Sequence, residues 1–263
     1  MCNTQQKETD IQKENKWYHK LWKNIVRYCI KGEGTTTTKD TENSIEDWKR
    51  QAEIYLKKSV ENNPKGRYHQ NLGAYYATIR DYDKALEQYK LAFNAEKRDD
   101  KIYNLIGSVL LYRAEMKLGI SERFQKGIVL SEITLDKIDE EERLNIQNDI
   151  KHAYEWLNLA IKQVNPIINA YYNYSKACIY DSLFLGGGSQ KMNEADKYLN
   201  TVEIIWNMND SQKPKGYLYT RRNYWEANKE YDKALEINQV IMNGDNSGDA
   251  RAAERVYDSK KRN

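Results

Sequence analysis

An all-α protein built from repeated helix pairs is the fold this sequence predicts, on three observations. The hexapeptide Tyr-Asp-Lys-Ala-Leu-Glu occurs twice, at Tyr82 to Glu87 and at Tyr231 to Glu236, each time opening an amphipathic helical pattern. The chain has only 3 prolines, Pro64, Pro166 and Pro214. Each falls in a gap between helical segments, as expected of a ring that removes a helical hydrogen bond and clashes with the preceding turn. Charged residues make up 31% of the 263 residues and alternating β-branched runs are nearly absent, which leaves helix as the regular structure.

From the N-terminus, Met1 to Asn15 is polar, lacks apolar periodicity and reads as disordered. Lys16 to Ile30 reads as a helix with two stripes. Lys16, Lys20, Lys23, Arg27 and Lys31 form the basic one, and Trp17, Leu21, Ile25 and Tyr28 the apolar one. Such a helix docks on an anionic membrane or acidic partner, or it packs Trp and Leu inward as an ordinary repeat helix does, the commoner use. Gly32 to Asn43, with four consecutive threonines, reads as a linker. Ser44 with Asp47 then resembles a capping signal for the next helix.

Around the first hexapeptide the chain reads His69-Gln70-Asn71-Leu72-Gly73-Ala74-Tyr75-Tyr76, followed by Ala85, Tyr89 and Ala92. This spacing resembles a tetratricopeptide repeat, in which a small residue lets two helices approach closely while large residues fill the space beside it. The resemblance extends from Ser44 to Asn243. Ala52, Leu56 and Ser59 resemble the second helix of an earlier unit. Tyr103, Ile106, Gly107 and Leu110 repeat the first-helix pattern, and Ala153, Leu157 and Ala160 supply its partner. A third unit runs through Tyr171, Tyr174, Ser175 and Cys178, then Ala195, Leu199 and Val202. A fourth has Leu218, Trp225, Ala234 and Ile241, with Arg221 and Arg222 where the family usually has Leu and Gly. The resemblance implies a right-handed α-α superhelix, a solenoid of about four helix pairs, with Gly73 and Gly107 at helix contacts. Residues 244–263 are then a polar C-terminal helix and tail.

An insertion at residues 113–149 interrupts this pattern. Gly119 breaks the preceding helix, Ser121 to Ile133 has helical spacing, and Asp139 with Glu142 reads as the N-cap of a long helix running to Val164. The expected geometry is a helical hairpin projecting from the solenoid. Its Ile128, Val129, Leu130, Ile133 and Leu135 cover either the neighbouring unit or a docked partner.

Little in the chain points to catalysis. His19, His69 and His152 lie in no metal-binding or nucleophile motif, and Cys2, Cys29 and Cys178 have no metal spacing, so neither catalytic nor metal residues nor cofactors are expected. Gly186-Gly187-Gly188-Ser189-Gln190-Lys191 lacks the spacing and the strand of a phosphate loop, and reads as a turn between helices. The net charge of +3 does not by itself imply nucleic acid. A mean hydropathy of −0.93 suits a thin core with two wet faces. No apolar run spans a membrane and no secretory signal is evident, so the expected location is the cytoplasm. A lipid-attachment role for Cys2 rests on one residue.

The family resemblance implies a concave groove lined by first helices. There it places Arg67, Gln70 and Asn71, then Lys101 and Asn104, then Asn169, Tyr172, Asn173 and Lys176, then Tyr219, Thr220 and Asn223. Amides carry both donor and acceptor and suit a peptide backbone, and Tyr adds contact area at low entropic cost. The function expected is therefore a non-catalytic scaffold or adaptor binding a peptide or protein partner. Two alternatives are a regulatory or sensory subunit acting through the hairpin, and nucleic-acid binding through Lys16 to Lys31 with Trp17, Trp22 and Tyr28.

Overall fold

The structure, a computed structural model, describes residues 39–95, 101–208, 213–244 and 248–261, and among them no strand occurs. The helices are α1 (Lys39–Asn62), α2 (Gly66–Thr78), α3 (Tyr82–Ala95), α4 (Lys101–Lys117), α5 (Glu140–Ile161), α6 (Ile168–Phe184), α7 (Gly188–Met208), α8 (Lys215–Ala227), α9 (Tyr231–Gly244) and α10 (Gly248–Lys261). Two compact units result, one holding α1 to α3 and one holding α4 to α10. The stripes of Lys16 to Lys31, together with Cys2, His19 and Cys29, lie outside the described residues.

In the first unit α2 packs on α3 at Gly73. A Cβ there would stand 2.6 Å from Cε1 of Tyr89, a ring that is itself only 2% exposed. Helix α1 closes the unit through Tyr75, whose hydroxyl donates to the Lys49 carbonyl at 2.8 Å, and Tyr76, which donates to Glu53 at 2.9 Å. α1 begins at Lys39, ahead of the expected cap at Ser44. Asp47 accordingly sits inside the helix and accepts from Arg50 and Gln51, one turn on.

In the second unit α4 packs with α5, α6 with α7, and α8 with α9, while α10 covers α9. Gly107 marks the first contact: a Cβ would meet Cγ of Leu157 at 2.5 Å and the Ala153 carbonyl oxygen at 3.2 Å. Ala153, Leu157, Ala195, Leu199, Val202 and Ala234 are fully buried, as their small-large spacing requires. Pro64 and Pro166 lie in the gaps between α1 and α2 and between α5 and α6, and Pro214 is the N-cap of α8. The final segment is less polar than its composition implies, because Ala250, Ala253 and Tyr257 of α10 are fully buried.

The two hexapeptides begin α3 and α9, and the turns before them match bond for bond. Amides of Ile79, Arg80 and Asp81 donate to the carbonyls of Tyr75, Ala77 and Tyr76, and those of Asn228, Lys229 and Glu230 to Tyr224, Glu226 and Trp225. Arg80 and Lys229 are both left-handed, with φ of 64° and 61°, closing the helix before them.

The insertion departs from expectation. Arg113 and Asp149 tie its ends through a 2.9 Å hydrogen bond from Nε to Oδ2. Asp139 is the cap predicted, accepting from the Glu142 amide at 2.9 Å, with Glu140, Glu141 and Glu142 in the first turn of α5. Between them Ser121 to Ile133 is not a helix. It holds two 3₁₀ turns, Ile120–Glu122 and Leu130–Glu132, separated by Gly127 at φ 70°. Nor does a hairpin project. Val129 and Leu130 are fully buried and Leu135 nearly so, while Ile128 and Ile133 are half-buried. Phe124 and Val129 share a core cluster with Ala234 of α9 and Ala252, Ala253, Val256 and Tyr257 of α10. The segment is a strap across the C-terminal helices, so these apolar residues cover the chain's own core.

Tyrosine fills much of both cores. Burial, which would strip water from a phenolate, pushes Tyr76, Tyr172 and Tyr217 up to about 12 and raises Tyr174, Tyr180 and Tyr257 well above the usual tyrosine range. Hydrogen bonds from Tyr76 to Glu53, Tyr174 to Glu194, Tyr180 to Glu115, Tyr217 to Glu203 and Tyr257 to Glu226 act in the same direction. Above about pH 10 the unfolded chain releases tyrosine protons that the folded chain keeps, so stability is full below that pH and falls through the folded values. Phenolate absorbance is expected to lag and then rise together with loss of helical circular dichroism. Ionisation of all 21 tyrosines near pH 10, with helix intact, would contradict this burial pattern.

Candidate functional site

The first helices of the pairs in the second unit, α4, α6 and α8, carry related stripes. Lys101, Asn104, Ser108, Tyr112 and Glu115 recur at three- and four-residue steps on α4, as do Asn169, Tyr172, Asn173, Lys176 and Tyr180 on α6. On α8 the stripe is Gly216, Tyr219, Thr220, Asn223 and Glu226. Of the remaining predicted groove residues, Arg67 and Asn71 are exposed and Gln70 half-buried on α2 of the first unit.

The amides in the middle of these stripes are spent inside the protein. Asn173 donates Nδ2 to Oδ1 of Asn104 at 3.0 Å and to Oγ of Ser108 at 2.9 Å, and both asparagines are only 6% exposed. Asn223 accepts from Arg123 at 2.9 Å, and Thr220, fully buried, donates to the Gly216 carbonyl. Asn104, Asn173 and Asn223 therefore pack in the core, contrary to the expectation that they face a peptide. Each bond answers the cost of burying an amide between closely packed helices.

What remains at the surface is mixed, with tyrosine prominent. Lys101 and Asn169 are exposed, Tyr112 is 40% exposed, Met116 is 51% exposed, and Tyr172 and Tyr219 are half-buried. The Tyr172 ring lies on α8 at Gly216, where a Cβ would come within 2.8 Å of it. Lys176 sits behind the row, bonded to Glu115 at 2.9 Å and 5.1 Å from the centre of the Tyr112 ring. Burial opposes its charge, but Glu115 and Tyr112 outweigh it and hold the ammonium above the usual lysine range. Tyr112 on α4, Tyr172 on α6 and Tyr219 on α8 thus each leave part of the side chain accessible. Tyr112 escaped the sequence prediction, although it lies two helical turns from Asn104 on the same stripe.

At its C-terminal end the α8 stripe reaches Glu226, which is fully buried. One oxygen, Oε1, accepts from the Leu130 amide at 2.6 Å, and Oε2 accepts from Arg123 at 3.0 Å and from the Tyr257 hydroxyl at 2.9 Å. Arg221 and Arg222, the departure from the repeat pattern, are accommodated by neighbours. Arg221 donates to Asp196 at 2.6 Å and Arg222 to Asn238 at 2.9 Å.

Elsewhere, His69 shares a 2.9 Å hydrogen bond with Gln88 and His152 is exposed. Cys178 is fully buried, which pushes its thiol well up. Gly186-Gly187-Gly188 forms the turn from α6 into α7, with the Gly187 amide donating to the Asp181 carbonyl. Among the described residues no cluster of three or more His, Cys, Asp or Glu could hold a metal, and no helix is long and apolar enough to cross a membrane. No protein-family model matches the chain, and no curated protein matches it.

Proposed function

We propose that this protein is a non-catalytic, cytoplasmic scaffold of the tetratricopeptide type, a right-handed α-α superhelix that binds a peptide or protein partner along its first-helix face. The observation that carries the proposal is the row Tyr112, Tyr172 and Tyr219 on successive first helices, with Met116 exposed beside it. Tyrosine offers a large contact surface and a hydroxyl while losing few rotors, which suits recognition of an extended chain. The close helix contacts at Gly73 and Gly107 support the repeat reading.

Affinity purification with mass spectrometry identifies the partner, and isothermal titration then tests the face. Replacing Tyr172 and Tyr219 together with alanine is expected to weaken binding at least tenfold, about 1.4 kcal/mol or more, while helical circular dichroism persists. An unchanged dissociation constant would move the site off this face.

A further inference from the structure

We propose that Asn223, Glu226 and Tyr257 form a recognition site for an arginine followed by an aromatic residue. The chain fills it with its own Arg123 and Phe124, and a partner peptide of the same chemistry can take their place.

The site is built by α8, about a hundred residues from the segment that occupies it, and by α10, further along the chain. With the strap in place Glu226 is fully buried, and of its donors α10 supplies only the Tyr257 hydroxyl, whereas a carboxylate has room for about four. Arg123 supplies two more, Nε at 3.4 Å and Nη2 at 3.0 Å, and its Nη2 also donates to Asn223 at 2.9 Å. A guanidinium fits because its planar fork spans two acceptors and keeps its charge when buried; an ammonium offers no such fork.

The next residue is read as well. The Phe124 ring has two guanidinium groups over it, that of Arg123 4.0 Å and that of Arg222 4.8 Å from its centre, and meets Tyr257 edge-on at 5.6 Å. The Leu130 amide on Glu226 adds one backbone contact. Side chain, ring and amide are together what a protein uses to hold a peptide. This occupant lies on the α8 stripe that carries Tyr219, so the strap fills one end of the face assigned above to partners, although the arginine site stands without that assignment.

The seam between strap and α10 is incomplete. A cleft of about 610 Å³ opens beside Phe124, Gln125 and Gly127, walled by Val256 and Ser259 of α10. Beyond it the outer fastening is a partly exposed ion pair between Glu132 and Lys260. Gly119 and Gly127, both left-handed with nothing within 4 Å of an added Cβ, bracket Arg123 and Phe124. A tethered occupant competes at an effective concentration on the order of millimolar, so the site binds a free peptide weakly until the strap yields.

The probe is a synthetic peptide with the sequence of Ile120 to Glu132. Added to the full chain carrying Arg123→Ala, it is expected to raise the thermal midpoint saturably. The same peptide with Arg123→Ala should not, and the unmodified chain should bind the probe at least tenfold more weakly. No effect on a folded variant, or equal effects of the two peptides, would overturn the proposal. Should the alanine variant not fold, Arg123→Lys replaces it under the same criteria. Hydrogen exchange on the unmodified chain is a second measurement. The Leu130 amide should exchange through local opening, faster than the buried amides of α4, and exchange only on global unfolding would overturn exchangeable occupancy.

Discussion

Arg123→Ala is expected to lower the unfolding free energy by about 3 to 5 kcal/mol, because it leaves the Glu226 carboxylate buried without its cation. The fully buried site gives that carboxylate no route to water, and the Leu130 amide and Tyr257 hydroxyl do not neutralise it. The value is the cost of stranding one partner, not the worth of the ion pair. Replacing both Arg123 and Glu226 by apolar residues of similar volume is therefore expected to recover much of the loss. Chemical denaturation of the single and double variants measures both. A single-variant cost below about 1 kcal/mol is the value of an exposed ion pair and would mean that water reaches Glu226.

The same network marks the boundary of what was legible beforehand. Helix pairs were readable because their signals are local: the repeated hexapeptide, the prolines in the gaps, and small residues three and four apart. Those signals placed Gly73 and Gly107 at close contacts and the cap of α5 at Asp139, all as found. The strap is not legible, because Ser121 to Ile133 has helical spacing, yet its apolar residues and Arg123 are claimed by helices a hundred residues or more away. Long-range docking outweighed local propensity there. Similarly, the stripes of Asn104, Asn173 and Asn223 were legible, but their exposure was not. Whether an amide on a first helix faces water or its neighbour depends on the distance between helices, and in α4 and α6 Ser108 and Asn173 are close enough to bond. The buried face of α10 had a helical pattern too, Ala250, Ala253 and Tyr257, masked by charged residues between them.

Gly107→Leu is expected to cost about 3 kcal/mol or more and to unfold the second unit first, since overpacking of a tight core commonly costs 1 to 3 kcal/mol and here backbone is among the obstacles. Even a single added carbon is informative. In a helix interior Ala is favoured over Gly by about 0.8 to 1 kcal/mol, so Gly107→Ala would stabilise an uncrowded helix. Here the new Cβ meets Leu157 at 2.5 Å and the Ala153 carbonyl oxygen at 3.2 Å, so a net loss is expected, opposite in sign to propensity. Gly73→Leu should also destabilise, but less, because only the Tyr89 ring, at 2.6 and 2.7 Å, stands in its way and no backbone atom does. Ranking the three variants by urea denaturation checks the argument. A Gly107→Leu chain as stable as its parent would mean that α4 and α5 do not approach as closely as Leu157 and Gly107 indicate.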